Sequence, residues 1–341
     1  MSEIYNNKPT MEPKYNPSPQ ETISQDGGVT LPDRAKNIDI LLMLSAVLSV
    51  SVYYHGVRVL LMALYAIIFS VLSDYLSLRI KGRKNFFKWD FSPIITALIF
   101  VSLLPASAPY WLVIFGVMFA NLVVKLPFGG YGNNLFNPTA VAAAFVAICW
   151  GDKMFLYPAP LSNLPLASDI TENLTHGLAY NLNFSAIPNL SPLDLLLGNF
   201  SGPLGSCGIL ICLVCAVYLL IRRTIHWQTV LTSLFSFCSV ILIVNIYSAN
   251  LLSVVMCELV SGAFLFGTVF MASDPVTSPK TGWGRMFYGV FLGGAVMLFR
   301  LNGQTELAFV YALILTNAVS PVCDRLGASI FSFKVKEKTN V

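Results

Sequence analysis

Residues 57–78 read VRVLLMALYAIIFSVLSDYLSL, and this stretch decides the fold class. An α-helix of this length extends roughly 30 Å, which is the thickness of the hydrocarbon core of a bilayer. Its only charged side chains are those of Arg58 and Asp74, which lie near its two ends. The stretch therefore predicts a helix that crosses a membrane.

The composition of the whole chain agrees with this prediction. Of its 341 residues, 55% are hydrophobic and 11% are charged, and the mean hydropathy is +0.68. A soluble domain carries about 25% charged residues, so we expect most of the surface to contact the lipid bilayer. The net charge of +4 is small and scattered, and we expect no nucleic-acid partner.

Apolar runs continue along the rest of the chain and predict about ten membrane spans in an all-α, polytopic protein. The predicted spans are 38–54, 57–78, 92–104, 110–124, 138–150, 204–221, 230–247, 251–272, 287–299 and 306–323. The runs 92–104, 138–150 and 287–299 are short. Short or broken helices are typical of spans that line a site enclosed by protein, although misplaced boundaries would give the same pattern.

Basic residues predict the orientation of these spans. With the N-terminus in the cytoplasm, the inner segments are 1–37, 79–91, 125–137, 222–229, 273–286 and 324–341. They contain all of the 21 Lys and Arg residues except Arg58, Lys153 and Arg300. Cytoplasmic loops are enriched in Lys and Arg, so both termini are expected in the cytoplasm and the segment 151–203 outside it.

The segment 151–203 divides the spans into two equal groups. Five spans precede it in the half 38–150 and five follow it in the half 204–323. The halves must then cross the membrane in opposite directions, which predicts two inverted five-helix halves with a site between them. Residues 1–37 are polar and rich in Pro, Asn and Ser, so we expect a disordered cytoplasmic tail there. A second cytoplasmic tail is expected at 324–341.

The first candidate site is a loop rich in glycine and asparagine. Residues 125–139 read KLPFGGYGNNLFNPT. Asn137 is a suitable N-cap and Pro138 suits the first turn of the following helix. The amides of Asn133, Asn134 and Asn137 could hydrogen-bond a heteroaromatic ring or another polar ligand. The alternative is an ordinary capped loop.

The second candidate is the segment 273–282, SDPVTSPKTG, on the same predicted membrane face. Asp274 and Thr277 supply an acceptor and a hydroxyl where an apolar run stops. A turn that ends a helix is the alternative interpretation. Because each half contributes one of these two motifs to the same face, we expect them to lie close together.

Acidic residues inside predicted spans form a third group. Glu258 is a candidate for an ion path because an intramembrane carboxylate is costly. It could also relay a proton, or only hydrogen-bond a Ser or Cys of another helix. Asp74 is nearer the inner interface, and we expect it to pair with the basic cluster at 79–84. No catalytic triad or zinc-type cluster is visible, so we expect no catalytic residue and no metal site.

These motifs resemble one family in their order and spacing. The matching stretches are 125–140, 191–198 (SPLDLLLG), 273–279 (SDPVTSP) and 317–324 (NAVSPVCD). They are similar to the D subunit of the Rnf ion-translocating oxidoreductase and to the B subunit of the Na⁺-translocating NADH:quinone reductase. The short motif 273–279 and the chain length fit the D subunit of Rnf better than the B subunit of the NADH:quinone reductase. The resemblance extends from about residue 38 to the C-terminus.

The resemblance implies a fold of ten helices in two inverted halves, like that of urea channels. It also implies FMN, esterified through its phosphate to a Thr in an S-G-A-T-type motif on the outer side. Ser191 occupies the matching position, where Ser replaces Thr and Pro188-Asn189-Leu190 replaces the small residues before it. A second, non-covalent flavin such as riboflavin is also implied. The expected location is the bacterial inner membrane.

The sequence leaves three functions open. The first is a flavin-carrying subunit that passes electrons within a membrane complex and couples them to Na⁺ or H⁺, with nucleotide chemistry left to other subunits. The second is a solute channel or transporter of urea-channel-like fold, with Glu258 along its path. The third is a subunit of a related flavin-based electron-export system without covalent flavin.

Overall fold

A computed structural model describes residues 33–80, 91–128, 134–162, 164–167, 169–183, 190–247, 250–303 and 306–339. Over these residues the protein is a bundle of apolar helices with one small antiparallel sheet of two strands. The all-α, polytopic fold class predicted from the sequence is confirmed.

The helices and strands follow one another along the chain from Asp33 to Thr339. They are α1 Asp33–His55, α2 Val57–Ile80, α3 Ser92–Leu103, α4 Tyr110–Met118, a π-helix Phe119–Lys125, α5 Pro138–Cys149, α6 Gly151–Met154, β1 Leu156–Pro158, β2 Leu174–His176, α7 Leu178–Asn183, α8 Pro192–Leu197, a 3₁₀ turn Leu204–Ser206, α9 Ile209–Ile221, α10 Trp227–Val244, α11 Leu251–Val260, α12 Phe264–Phe270, α13 Gly282–Leu301 and α14 Ala308–Thr339. Each predicted span overlaps one of these helices or a consecutive pair.

Only some of these helices have the length of a full membrane span. Within the described residues, α1, α2, α10 and α13 are long and apolar enough to cross a bilayer, and the bent pair α11 and α12 passes the same test when the two helices are counted as one broken span. Helices α3 and α5 have 12 residues each and extend only about 18 Å. The expectation of short or broken helices is therefore confirmed for α3 and α5.

Buried irregular backbone continues where the short helices stop. Residues 104–109 follow α3 and are buried, which is the setting in which non-helical backbone is tolerated at membrane depth. The carbonyl oxygen of Leu104 accepts a hydrogen bond from the Leu204 N–H at 3.0 Å. The Ser51 hydroxyl donates to the Leu204 carbonyl oxygen at 2.8 Å. These bonds join the two halves in the protein interior.

Two predicted spans differ from the structure. The run 287–299 is not short, because α13 has 20 residues; its glycines and Arg285 lower the hydropathy of its first half. The run 251–272 is not one helix, because α11 and α12 are bent by 48°. Gly262 and Ala263 adopt left-handed backbone conformations there, which interrupt a right-handed helix.

The segments outside the predicted spans also contain helices. Helix α1 begins at Asp33, inside the segment 1–37 predicted to be disordered, and α14 continues to Thr339 through most of the tail expected at 324–341. In both places a helix extends beyond its apolar core into a polar flank. The segment 151–203 contains α6 to α8 and the two strands.

The bundle has two distinct ends. We call the end where α3 and α5 begin and α12 ends the cleft end. The opposite end, where α1 ends and α2 begins, is the loop end. The segment 151–203 covers the loop end: the Tyr54 hydroxyl donates to the Leu197 carbonyl oxygen at 3.0 Å, and Arg58 donates to the Pro165 carbonyl oxygen at 3.1 Å.

Candidate functional site

The two predicted motifs meet at the cleft end. A cavity of about 70 Å³ is lined by Asn134 and Asn137 from the first half and by Asp274 from the second. Further polar residues around it are Asn37, Ser92, Thr96, Lys125, Thr139 and Ser273. Thr277 does not line the cavity, but its hydroxyl donates to Asp274 Oδ2 at 3.2 Å. Asn133 lies outside the described residues.

Asn137 is the N-cap of α5. Its Oδ1 accepts hydrogen bonds from the N–H groups of Thr139 at 3.1 Å and Ala140 at 3.2 Å, and Pro138 occupies the first turn. The predicted cap is therefore confirmed. Capping fixes the start of α5 beside the cavity, so Asn137 has a structural role whether or not it also contacts a ligand.

Asp274 closes a tight turn at the other side of the cavity. Its Oδ1 accepts from the Val276 N–H at 3.3 Å. Burial raises the pKa of Asp274, while its bonds with Val276 and Thr277 and the charge of Lys125 act in the opposite direction. The net effect is a carboxyl that holds a proton more readily than a surface Asp.

Asp324 of α14 holds the end of the segment 273–282 through hydrogen bonds. Its Oδ1 accepts hydrogen bonds from the N–H of Lys280 at 2.9 Å and from the N–H and hydroxyl of Thr281 at 3.0 Å each. Thr281 in turn is the N-cap of α13. The last of the matching stretches, 317–324, thus positions the end of the second motif.

Lys125 is the residue of this site that the sequence analysis missed. It lies at the end of the π-helix and is 3% exposed. Its Nζ lies 3.2 Å from Asp74 Oδ1 and donates to Ser92 Oγ at 3.1 Å. Among the described residues Asp74 therefore pairs across helices with Lys125, whereas residues 81–84 of the basic cluster at 79–84 lie outside the described residues, and the pairing expected there stays a prediction. A basic residue directly after an apolar run is usual at the cytoplasmic face, so the sequence carried no signal that singled it out.

Two buried polar atoms at the cavity lack a partner among the described residues. They are Asn134 Oδ1 and Ser273 Oγ, and both residues line the cavity. A buried polar group without a hydrogen bond costs about 1–3 kcal/mol. The cavity is far smaller than the roughly 300–1,000 Å³ of pockets that enclose a whole ligand, so it fits water or one polar edge of a larger ring.

Ser191 lies at the loop end of the bundle, as the N-cap of α8. Its hydroxyl is exposed; it accepts from the Asp194 N–H at 3.1 Å and donates to Asp194 Oδ2 at 2.6 Å. These hydrogen bonds, with one from Asn199, hold the pKa of Asp194 below its usual value. A phosphoester at Ser191 would fit the exposure of this hydroxyl. It would also remove the bond that the hydroxyl donates to Asp194.

Glu258 of α11 forms an ion pair with Arg300 near the loop end. Arg300 also donates to the carbonyl oxygens of Glu258 at 2.7 Å and Ser261 at 2.8 Å. Its guanidinium lies over the Phe237 ring, 5.0 Å from the centroid. Arg300, rather than a Ser or Cys, is therefore the side-chain partner of Glu258 among the described residues, and the ion path through Glu258 stays a prediction.

These features define a class: a polytopic helical membrane protein in which short helices from two halves surround a buried polar cleft. The chain belongs to the NQR2, RnfD, RnfE family, whose model matches residues 33–330. The family resemblance inferred from the motifs is confirmed.

Three relatives show how far the similarity extends. A protein of Haemophilus influenzae (strain PittEE), the D subunit of an ion-translocating oxidoreductase complex, is 29% identical, over 84% of this chain and 89% of that protein. The protein of the same description from Actinobacillus succinogenes is 30% identical, over 82% and 87%. The D subunit of a Na⁺-translocating ferredoxin:NAD⁺ oxidoreductase complex of Acetobacterium woodii is 26% identical, over 84% and 86%.

Proposed function

We propose that this chain is a membrane subunit of an Rnf-type ion-translocating oxidoreductase, that it carries flavin, and that it passes electrons within the membrane. The family, and the descriptions of relatives that match over most of their length, support the assignment to such a complex. The chain works with other subunits of the complex and is not catalytic alone. The coupling ion is Na⁺ or H⁺.

The observation that carries the flavin proposal is the meeting of the two motifs at one cleft. Asn134 and Ser273 offer a buried amide and a buried hydroxyl with unused hydrogen-bonding capacity. Lys125 also lines the cleft, where its charge is paired with that of Asp74. A non-covalent flavin supplies electron chemistry that these side chains lack. The residues present fit the polar edge of such a ring.

We also propose FMN at Ser191 as the second flavin. The support is the family position of this residue, its exposed hydroxyl and its place at the loop end, away from the cleft. The two flavins would then be held near opposite ends of the bundle. The site at the cleft uses groups from both halves, whereas the site at Ser191 uses one exposed hydroxyl.

The substitution Asn134→Leu tests the cleft site, because it removes the buried amide and keeps a similar volume. Loss of one buried hydrogen-bonding partner costs about 1–3 kcal/mol, so flavin affinity is expected to fall roughly 5- to 150-fold. The measurement is the flavin released on denaturation of the purified complex, together with its rate of electron transfer. Asn134 is a more informative position than Asn137, because a substitution of Asn137 would also remove the N-cap of α5.

The matched control is Asn302→Leu, which makes the same change at an exposed position following α13. This variant is expected to retain the flavin content and turnover of the unaltered protein. If Asn134→Leu also retains both, Asn134 is only a structural residue of the loop and the cleft holds no flavin.

A further inference from the structure

Glu306 is a buried carboxylate at the loop end. It precedes α14 and is only 2% exposed. Its Oε1 accepts a hydrogen bond from the Tyr180 N–H at 3.1 Å, whereas its Oε2 is buried without a partner among the described residues. Gly177 makes room for this carboxylate, because a Cβ at that position would overlap Oε1.

The charges around Glu306 do not balance. Arg300 of α13 is the nearby cation, but it forms its ion pair with Glu258 of α11. Glu306 and Glu258 together therefore place two acidic groups beside one basic group. Removal of an unpaired charge from water is costly, so a carboxylate at Glu306 gains stability from any small cation that reaches it.

Two further elements face the same carboxylate. Tyr157 of β1 is buried; burial raises the pKa of its phenol, and the nearby charge of Glu306 raises it further. His176 of β2 stacks on the Tyr180 ring with centroids 4.0 Å apart and is exposed. Neither His176 nor Tyr157 forms an ion pair with Glu306 in the described structure.

A cavity gives access to this group. Its volume is about 390 Å³, and Asp152, Phe155, His176, Tyr180 and Glu306 are among the residues that line it. One water occupies about 30 Å³ in the liquid, so the cavity holds several waters or a hydrated ion. It adjoins the exposed side chains of Asp152 and His176 at the loop end.

We propose that Glu306 is a cation-binding site at the loop end, where its carboxyl takes up one proton or one Na⁺ from the adjoining cavity. The unpartnered Oε2, the excess of acidic over basic groups and the cavity carry this inference. Uptake of the cation does not depend on flavin. Only a role of this site in ion translocation rests on the proposed function.

The pH range of this site follows from its burial. Burial raises the pKa of Glu306 from 4.5 to about 7, against the opposing effects of the Tyr180 N–H, the charge of Arg300 and the Ala179 N–H. The folded protein therefore binds more protons than the unfolded chain between these two values. The corresponding stability is fully present below the unfolded pKa, and it is lost as pH rises through the folded pKa.

The test measures the unfolding temperature of the purified full-length complex between about pH 5 and pH 9, in Na⁺ and in choline at equal ionic strength. In choline, the difference in unfolding temperature between the unaltered protein and Glu306→Gln is expected to change between about pH 5 and pH 9. The size of the change corresponds to the release of about one proton. If Na⁺ above pH 8 raises the unfolding temperature of the unaltered protein but not of the variant, the site takes Na⁺. If only the pH effect is seen, it takes a proton.

Glu172→Gln is the matched control, because Glu172 is an exposed carboxylate of the same segment, and it is expected to leave both responses unchanged. Should Glu306→Gln fail to fold, Glu306→Asp keeps the carboxyl and is expected to move the midpoint of the pH response. Equal responses to pH and Na⁺ in the unaltered protein and in the foldable Glu306 variant would overturn the proposal. The assay reads neither flavin nor electron transfer, so a failure of the flavin assignment leaves its outcome unaffected.

Discussion

Buried arginines at the loop end show how single residues hold the irregular parts of this fold. Arg58 donates to the carbonyl oxygens of Ala106 at 2.7 Å and Ala108 at 2.9 Å, directly after α3 ends. Arg300 donates to Ser261 where α11 ends. In both places a guanidinium replaces the hydrogen bonds that an interrupted helix loses. Arg58 and Arg300, two of the three Lys and Arg residues outside the predicted inner segments, therefore have a structural role.

Ser191 gives the prediction that belongs to this scale. Ser191→Ala is expected to abolish an FMN-sized adduct on the peptide that contains this residue, because a phosphoester requires the hydroxyl. Ser191→Thr retains a hydroxyl and is expected to keep the adduct. Peptide mass spectrometry, after expression with the native flavin-transferring enzyme, measures both. The alanine variant also loses an N-cap, which lowers the stability of α8 by about 1 kcal/mol.

Ser191 could instead be only the cap of α8. An unmodified Ser191 peptide from the unaltered protein, produced with the same flavin-transferring enzyme, would establish that role and end the covalent hypothesis. Ser201 is the nearby control hydroxyl, since it lacks the following Pro-Leu-Asp and is expected to carry no adduct in any of the proteins.

Some roles of single residues could be read from the sequence and others could not. The cap at Asn137 depends only on its immediate neighbours, so the motif predicted it. The pair of Lys125 with Asp74 and the position of Glu306 depend on residues far away in the chain. An ion pair across helices leaves no local pattern, and the sequence therefore did not distinguish these residues from ordinary residues of a loop or helix end.

At the scale of helices, α10 and α13 pack closely because glycines face the contact. A Cβ at Gly293 would overlap the backbone oxygen of Ser233 and lie 2.8 Å from the Phe237 N. A Cβ at Gly294 would meet only the Ser236 Oγ, at 3.7 Å. Small residues allow such close approach of helix backbones inside a membrane. Adjacent glycines of one helix thus differ sharply in the space around them.

Gly293→Ala is therefore expected to destabilise the protein, by about 1–3 kcal/mol, because the added methyl group pushes the backbone of α10 away. Gly294→Ala is the control and is expected to be neutral or slightly stabilising, since alanine favours helices. Unfolding temperatures of the two purified variants provide the comparison. Equal stability of both variants would contradict the close packing of α10 and α13.

Hydropathy predicted where the helices lie better than where they break. The hydropathy pattern located α13 but made the helix look short, because glycines lower the hydropathy of its first half. Glycines of α13 are also the residues that allow its close packing against α10. The pattern missed the bend between α11 and α12, because Ser261, Gly262 and Ala263 are small and apolar enough to continue the run. The left-handed backbone of Gly262 and Ala263 is a conformational feature, which hydropathy does not measure.

At the scale of the whole molecule, the two halves are joined by irregular segments in the interior and by the cleft at one end. The sequence predicted an all-α bundle and placed both motifs at one face. It could not predict that Leu104 bonds to Leu204 of the 3₁₀ turn Leu204–Ser206, because these segments have no regular period. The inverted relation of the halves stays a prediction from the count of spans.

The orientation of this bundle in the membrane gives the last prediction. The cleft end carries Arg285 at the start of α13, whereas Asn173 belongs to the segment that covers the loop end. Reporters fused after Lys84 and after Arg285 are expected in the cytoplasm, and a reporter inserted near Asn173 outside it, because cytoplasmic loops are enriched in Lys and Arg. Two of the three basic residues at the loop end are buried in the protein, which leaves that surface almost without positive charge. Paired alkaline phosphatase and fluorescent protein fusions measure each site from both sides, and a cytoplasmic signal at Asn173 would reverse the orientation and place the Glu306 cavity in contact with the cytoplasm.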